Sequence, residues 1–169
     1  MQGRILVASH DGIYLIVFEG DVRLTLCSTV DGYLEKMFKD DAFRSVVVDL
    51  SQTENIDSTS LGLLAKLSIQ AEKRFHFRPT LVSTRRDITR ILLSMGFDEV
   101  FNLVETALEH KEQVVELPRL AASEEDVRQQ VLDAHRLLMS MNEANHEAFH
   151  DLVAALEADE IQSPRRVAH

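Results

Sequence analysis

The feature that most constrains the fold is a short apolar run followed by a polar loop and then by a helical pattern. Residues 45–50 are nearly all β-branched or apolar, which is typical of a strand covered on both faces of a sheet. Residues 51–57 are polar, and from Ser58 to about Arg74 apolar residues recur at helical spacing. A buried strand that leads into a helix indicates a parallel crossover, so we predict an α/β fold with a mixed sheet and helices packed against it.

The flanking residues supply the other elements of this domain. Alternating β-formers around the Asp11-Gly12 turn signal predict a hairpin. Further strands and helices follow from apolar periodicity, and Gly96 is placed to end a helix. The predicted strands are residues 4–9, 13–19, 22–26, 45–50, 79–83 and 99–103, and the predicted helices are residues 28–42, 58–74 and 88–95.

Composition and charge exclude several classes of protein. The 169 residues carry a net charge of -10, which argues against nucleic-acid binding because that binding requires Lys and Arg to neutralise phosphates. The longest apolar run, residues 13–18, is too short to span a bilayer, and the N-terminus lacks a signal-peptide layout. With the single cysteine Cys27 and no nucleotide fingerprint, we expect a cytoplasmic protein without a cofactor or a membrane contact.

The C-terminal part of the chain is more acidic than the part before it. Residues 105–169 hold 14 acidic and 6 basic side chains. We predict a domain over residues 1–110, a linker over 111–122, a helical extension over 123–160 and a flexible tail over 161–169. The extension reads as one long amphipathic helix with heptad spacing, in which Asn145 is the polar core position. Its apolar face either folds back on its own domain, pairs with a helical stretch near residues 106–115, or mediates a homodimer or partner contact.

Residues 46–67, VVVDLSQTENIDSTSLGLLAKL, resemble the STAS family of anti-sigma-factor antagonists. The pattern consists of a strand ending in Asp49, a polar loop, Ile56, then Asp57 and Ser58, Thr59 and Ser60, and Leu61 and Gly62. The order of elements over residues 1–110 is similar to that family as well. Gly20 and Asp21 resemble its short polar turn between strands.

The resemblance implies a phosphorylation switch on Ser58. A partner that is both serine kinase and anti-sigma factor would bind the unphosphorylated protein and leave once Ser58 is phosphorylated, and a serine phosphatase would restore binding. The chain itself would not be an enzyme. Ser60 stands where the family often has glycine, so Thr59 and Ser60 are minor candidate acceptors. The expected partner-binding residues are Asp21, Asn55, Asp57, Ser58, Thr59 and Ser60.

Two alternatives stay open, and a third is set aside. Asp57 or Ser58 could simply cap the helix, since both residue types do so well. A STAS domain could also be a non-switching scaffold subunit of a sensory or transport-associated complex. Finally, His146-Glu147-Ala148-Phe149-His150 matches a zinc-peptidase pattern. A catalytic site needs a third protein ligand and a cleft, but only 19 residues follow His150 and they do not continue the pattern as H-x-x-G-x-x-H, so we predict no metal site.

Overall fold

A computed structural model describes residues 1–108 and 113–162 of the chain, with side chains up to residue 159. Within these residues, strands and helices alternate over the first hundred positions and helices follow. The elements are β1 (Arg4–His10), β2 (Ile13–Val22), α1 (Cys27–Phe38), β3 (Ser45–Asp49), β4 (Thr53–Ile56), α2 (Ser58–Phe75), β5 (Thr80–Val82), α3 (Arg86–Ser94), β6 (Asn102–Val104), β7 (Val115–Glu116), α4 (Glu124–Met141) and α5 (Glu143–Gln162).

The strands form one mixed sheet in the order β6-β5-β3-β2-β1-β7. The β1–β2 hairpin is antiparallel and turns at Asp11 and Gly12, which both adopt positive φ. A side chain at Gly12 would collide with the carbonyl oxygen of Ala42, so glycine is required there for space as well as for conformation. Strands β2, β3, β5 and β6 are parallel neighbours, which confirms the predicted mixed α/β fold.

The main hydrophobic core lies between the sheet and the helices. Val46 and Val48 of β3 are fully buried and point to the helical face. Val47 points the other way and packs against a smaller cluster on the opposite face of the sheet. The interior position of β3 agrees with the continuous apolar run that predicted it.

Three local predictions were wrong in this part of the chain. Residues 22–26 do not form a strand, because β2 continues to Val22 and a 3-10 turn follows at Leu24–Leu26. The predicted polar loop 51–57 contains β4, which pairs in parallel with the end of β2 beyond β3. The predicted helical stretch at 106–115 does not appear in the described residues; its last residue begins β7, which pairs with β1, and residues 109–112 lie outside the described range.

The C-terminal extension is helical, as predicted, but it consists of two helices. Asn142 is fully extended between α4 and α5, and its side-chain oxygen accepts a hydrogen bond from the Asn145 amide in the first turn of α5. Ion pairs Arg136–Glu157 and Arg128–Asp159 join the two helices, which run antiparallel. We call Glu124–Gln162 the C-terminal hairpin. The predicted linker contains β7, and most of the predicted tail, residues 163–169, lies outside the described residues.

Candidate functional site

Ser58 is the first residue of α2, and the preceding residue explains why the helix starts there. Asp57 has an extended backbone, and its Oδ1 accepts a hydrogen bond of 2.8 Å from the Ser60 amide. Its Oδ2 accepts a second bond of 2.7 Å from the Leu24 amide, which ties the helix start to the 3-10 turn after β2. Asp57 therefore provides the N-cap, and the hydroxyl of Ser58 is not needed for capping.

The sheet brings two of the other predicted site residues to the same edge. In the parallel β2–β4 pair, Asp21 lies opposite Asn55, and the Asp57 amide bonds to the carbonyl of Val22. Asn55 is exposed, whereas Asp21 is half-buried and accepts a 2.8 Å bond from Arg23. This bond raises the pKa of Arg23 above its usual value. Asp21, Asn55 and Asp57 thus come together beside Ser58. Arg23 adds a cation that no sequence motif indicated.

The two minor candidate acceptors point into the protein. Thr59 and Ser60 are each only 4% exposed. Thr59 borders a small cavity between α1, α2 and α4, and the Ser60 hydroxyl lies 3.9 Å from the Cys27 sulfur. Burial raises the pKa of the Cys27 thiol to about 12, so this cysteine is protonated at neutral pH. Among the three hydroxyls, Ser58 is the half-buried one.

The hydroxyl of Ser58 contacts a histidine from the C-terminal hairpin. The Ser58 Oγ lies 2.8 Å from the Nε2 of His135 on α4, 77 residues away in sequence. The other ring nitrogen, Nδ1, lies 2.6 Å from the carbonyl oxygen of Val131. Because a carbonyl only accepts, Nδ1 carries the hydrogen, and in the neutral ring Nε2 accepts from the Ser58 hydroxyl.

His135 is held in place by its neighbours as well. Its side chain is 2% exposed, and its ring packs in a T-shaped arrangement with that of Phe149 on α5, with 5.0 Å between the ring centres. One turn further along α2, Gly62 meets Ala134 so closely that an added methyl group would lie 2.5 Å from the Ala134 Cβ. Glycine at position 62 therefore allows α4 to approach α2 and to bring His135 to Ser58.

These contacts decide how the apolar face of α4 is used. Leu132, Ala134 and Leu138 are buried, and the predicted core residue Asn145 donates a 2.9 Å bond to the carbonyl of Met95. The extension folds back on its own domain, which was one of the alternatives predicted from its heptad pattern. No sequence pattern indicated His135 as a site residue, although it lies four residues after Val131 and next to Ala134 on the predicted apolar face.

The STAS domain family model matches residues 4–111, which is more than half of the chain. The chain belongs to the STAS domain family. No curated protein matches it. The match covers Asp21, Asn55 and residues 57–60 but ends before the C-terminal hairpin. The contact between Ser58 and His135 therefore joins the family domain to a segment outside the match.

Other residues considered from the sequence do not assemble into a site. His146 and His150 are exposed on α5 with their ring centres 5.3 Å apart. Within residues 1–108 and 113–162, no group of three metal-ligating side chains is found. None of the helices in the described part of the chain is long and apolar enough to cross a membrane.

Proposed function

We propose that this STAS protein is a cytoplasmic anti-sigma-factor antagonist in a partner-switching pathway. In its unphosphorylated form it binds a partner that is both anti-sigma factor and serine kinase. Phosphorylation of Ser58 by that partner ends the interaction, and a serine phosphatase restores it. The chain acts as a phosphorylation substrate and binding module and performs no catalysis of its own.

The observation that carries this proposal is the position of the Ser58 hydroxyl. It lies at the first residue of α2, outside the capping bonds that Asp57 makes, and beside the polar edge formed by Asp21 and Asn55. Thr59 and Ser60 are almost fully buried, so a kinase would meet Ser58 first. This arrangement supports Ser58 as the acceptor and the neighbouring polar edge as part of the partner surface.

The charges around Ser58 support a switch that acts on binding while the domain stays folded. A phosphate adds a charge of about -1.5 to -2. The N-terminus of α2 favours it by about 0.3 to 1 kcal/mol, and Asp57 opposes it by a similar order of energy. Asp21 is paired with Arg23, and Glu54 with the N-terminal ammonium group at 3.0 Å, which moderates their repulsion. Against a partner surface shaped for a neutral hydroxyl, the same charge would weaken binding by about a hundredfold, or roughly 2.7 kcal/mol.

The test is phosphate transfer from the cognate kinase with labelled ATP. The wild type should be labelled, and Ser58→Ala should lose the label. Ser51→Ala, in the loop before β4, is the matched control and should be labelled like the wild type. Thr59→Ala and Ser60→Ala should also retain the label. An undiminished label in Ser58→Ala would refute the assignment. In a pull-down, the anti-sigma factor should bind Ser58→Ala and not Ser58→Asp.

A second candidate function is a non-switching scaffold subunit of a larger complex. The hydrogen bond between Ser58 and His135 favours it, because the hydroxyl is already engaged within the chain. A scaffold would bind its partner equally well as wild type, Ser58→Ala and Ser58→Asp. Equal capture of all three, together with no labelling of any, would select the scaffold over the switch.

Self-association through the C-terminal hairpin stays a prediction. The buried face of α4 is used within the chain, so a homodimer would have to use the outer face of α5, where Leu152 is 42% exposed. Light scattering of the full chain checks this. A mass twice that of one chain, lost in Leu152→Glu, would support the homodimer.

A further inference from the structure

The C-terminal hairpin rests on the STAS domain at the proposed phosphoacceptor. His135 bonds to Ser58, and Ala134 fits against Gly62 one turn further along α2. Gln130 donates a 2.6 Å bond to the Ser28 hydroxyl of α1. The first two turns of α2 are therefore covered by α4.

The distance between the Ser58 Oγ and the His135 Nε2 leaves no room for a phosphoryl group between these two atoms. Their 2.8 Å separation is that of a direct hydrogen bond, whereas a phosphoryl group would place a phosphorus and three oxygens on the same hydroxyl oxygen. Transfer from ATP forms the bond between Oγ and phosphorus, breaks the bond to ADP and passes the hydroxyl proton to a base of the kinase. When the hairpin is docked, the Ser58 hydroxyl donates its hydrogen to His135 and is not free to donate it to a kinase base. The imidazole also occupies the position that the incoming phosphorus would take on that side of the hydroxyl oxygen.

We propose that the C-terminal hairpin is an intramolecular cap on Ser58, so that docking of the hairpin and phosphorylation of Ser58 exclude each other. This inference rests on Ser58 being the phosphoacceptor proposed above. The kinase reaches Ser58 only in molecules whose hairpin has moved away, so the docked fraction sets how strongly the partner binds and how fast Ser58 is modified.

The exclusion acts in both directions. A phosphorylated Ser58 could turn its side chain toward solvent, but His135, which is 2% exposed, would then lose the hydrogen that its Nε2 accepts. Either rotamer therefore weakens docking. By thermodynamic linkage, if the phosphate disfavours the docked hairpin, then the docked hairpin disfavours the phosphate by the same factor. Phosphorylation of Ser58 thus lowers the fraction of docked hairpin, just as docking lowers the rate of phosphorylation.

A cysteine at position 58 tests whether the hairpin covers this residue. The background is low, because Cys27 is 3% exposed and its pKa is raised to about 12. The reagent is N-ethylmaleimide, and mass spectrometry follows the alkylation rate of Ser58→Cys. Adding Ala134→Asp, which places a carboxylate against Gly62, should speed alkylation by up to about tenfold if about nine molecules in ten are docked. Adding the matched control Ala148→Asp, at an exposed position of α5, should leave the rate unchanged.

Equal alkylation rates with and without Ala134→Asp would overturn the proposal. Far-UV circular dichroism and the amide exchange of residues 46–48 of β3 report whether Ala134→Asp has unfolded the domain. If the domain has unfolded, a second measurement without Ala134→Asp tests the cap.

In this second measurement, phosphoserine is placed at position 58 during synthesis by an expanded genetic code, and amide hydrogen exchange is compared with that of the unmodified protein. Residues 132–138 of α4 should exchange about tenfold faster, and residues 46–48 of β3 should not change. Unchanged exchange in α4 would equally overturn the cap.

Neither measurement uses the partner, so the cap and the proposed function fail separately. A kinase that labels the wild type and Ala134→Asp at equal rates would refute the cap and leave the switch on Ser58 intact. Slow alkylation of Ser58→Cys that Ala134→Asp accelerates, together with faster amide exchange of α4 in the phosphoserine protein, would support the cap. If the kinase then transfers no labelled phosphate even to Ala134→Asp, the proposed function is refuted and the cap is retained.

Discussion

The hydrogen bond between Ser58 and His135 should couple the two residues energetically, and a double-mutant cycle measures that coupling. The donor is half-buried and the acceptor is 2% exposed, with 2.8 Å between them. In Ser58→Ala, the Nε2 of His135 keeps its position but loses its donor. In His135→Phe, a ring of similar shape fills the space, and the Ser58 hydroxyl can turn to solvent.

The magnitude follows from which partner is left unsatisfied. A neutral hydrogen bond contributes about 0.5 to 1.5 kcal/mol net, and a buried group left without its partner costs about 1 to 3 kcal/mol. We therefore expect Ser58→Ala to lower the free energy of unfolding by about 1 to 2 kcal/mol in the wild-type background. In the His135→Phe background the same substitution should cost less than about 0.5 kcal/mol, because no acceptor remains.

Urea unfolding followed by far-UV circular dichroism is the assay, since the chain contains no tryptophan. The control is Ser140→Ala, an exposed serine of α4 whose hydroxyl bonds only to a carbonyl of its own helix. It should change stability by less than about 0.5 kcal/mol in both backgrounds. If Ser58→Ala costs the same with and without His135, the bond contributes nothing and the reasoning above is wrong.

Three further predictions concern the contacts around this site. Gly62→Val should detach α4 from α2, because the Cβ of the new side chain would lie 2.5 Å from the Ala134 Cβ. The amides of α4 should then exchange faster while those of β3 exchange at the same rate. Unchanged exchange in α4 would contradict this prediction. Between pH 9 and 10, the free energy of unfolding should decrease less in Cys27→Ala than in the wild type. The unfolded thiol ionises near pH 9.0 and the folded one near 12, so stability is lost as pH rises by up to about 1.4 kcal/mol per pH unit, as urea titrations at each pH will show. Asn145→Ala removes one of the two side-chain amides, those of Asn142 and Asn145, that donate to the Met95 carbonyl. It should cost about 0.5 to 1.5 kcal/mol in the same urea assay, and a cost near zero would show that the Asn142 donor suffices.

The parts of the fold that sequence predicts well are those fixed by local pattern. The β-branched run of residues 45–50 and the apolar periodicity after Ser58 each encode an element without reference to distant residues, and both elements begin where the pattern begins. β4 and β7 were missed because their pattern is polar or very short. Each exists through pairing with one strand, β4 with the end of β2 and β7 with β1, and such pairing is a tertiary effect that periodicity does not record.

The C-terminal extension shows the limit of periodicity in another way. A spacing of alternate fours and threes continued across residue 142, so the pattern predicted one helix. Asn142 ends α4 in an extended conformation and caps α5 with its own side chain, a role for which asparagine is well suited. The capping signal was present in the sequence. It was outweighed by a heptad pattern that two antiparallel helices satisfy as well as one long helix does.

The candidate site likewise combines a part set by local sequence with a part that depends on a long-range contact. Residues 57–60 are set by the local start of α2, so the sequence predicts that a helix begins there, but it does not distinguish Asp57 from Ser58 as the cap because both residue types cap well. His135 lies 77 residues away, and nothing local to it marks a hydroxyl partner. In the proposed cap, that residue controls access to Ser58. If the hairpin is docked in most molecules, a kinase assay on the wild type alone would show slow labelling of Ser58 and would resemble the behaviour of a scaffold. Labelling of Ala134→Asp separates the two, because opening the hairpin should accelerate phosphorylation of a capped switch and leave a scaffold unlabelled.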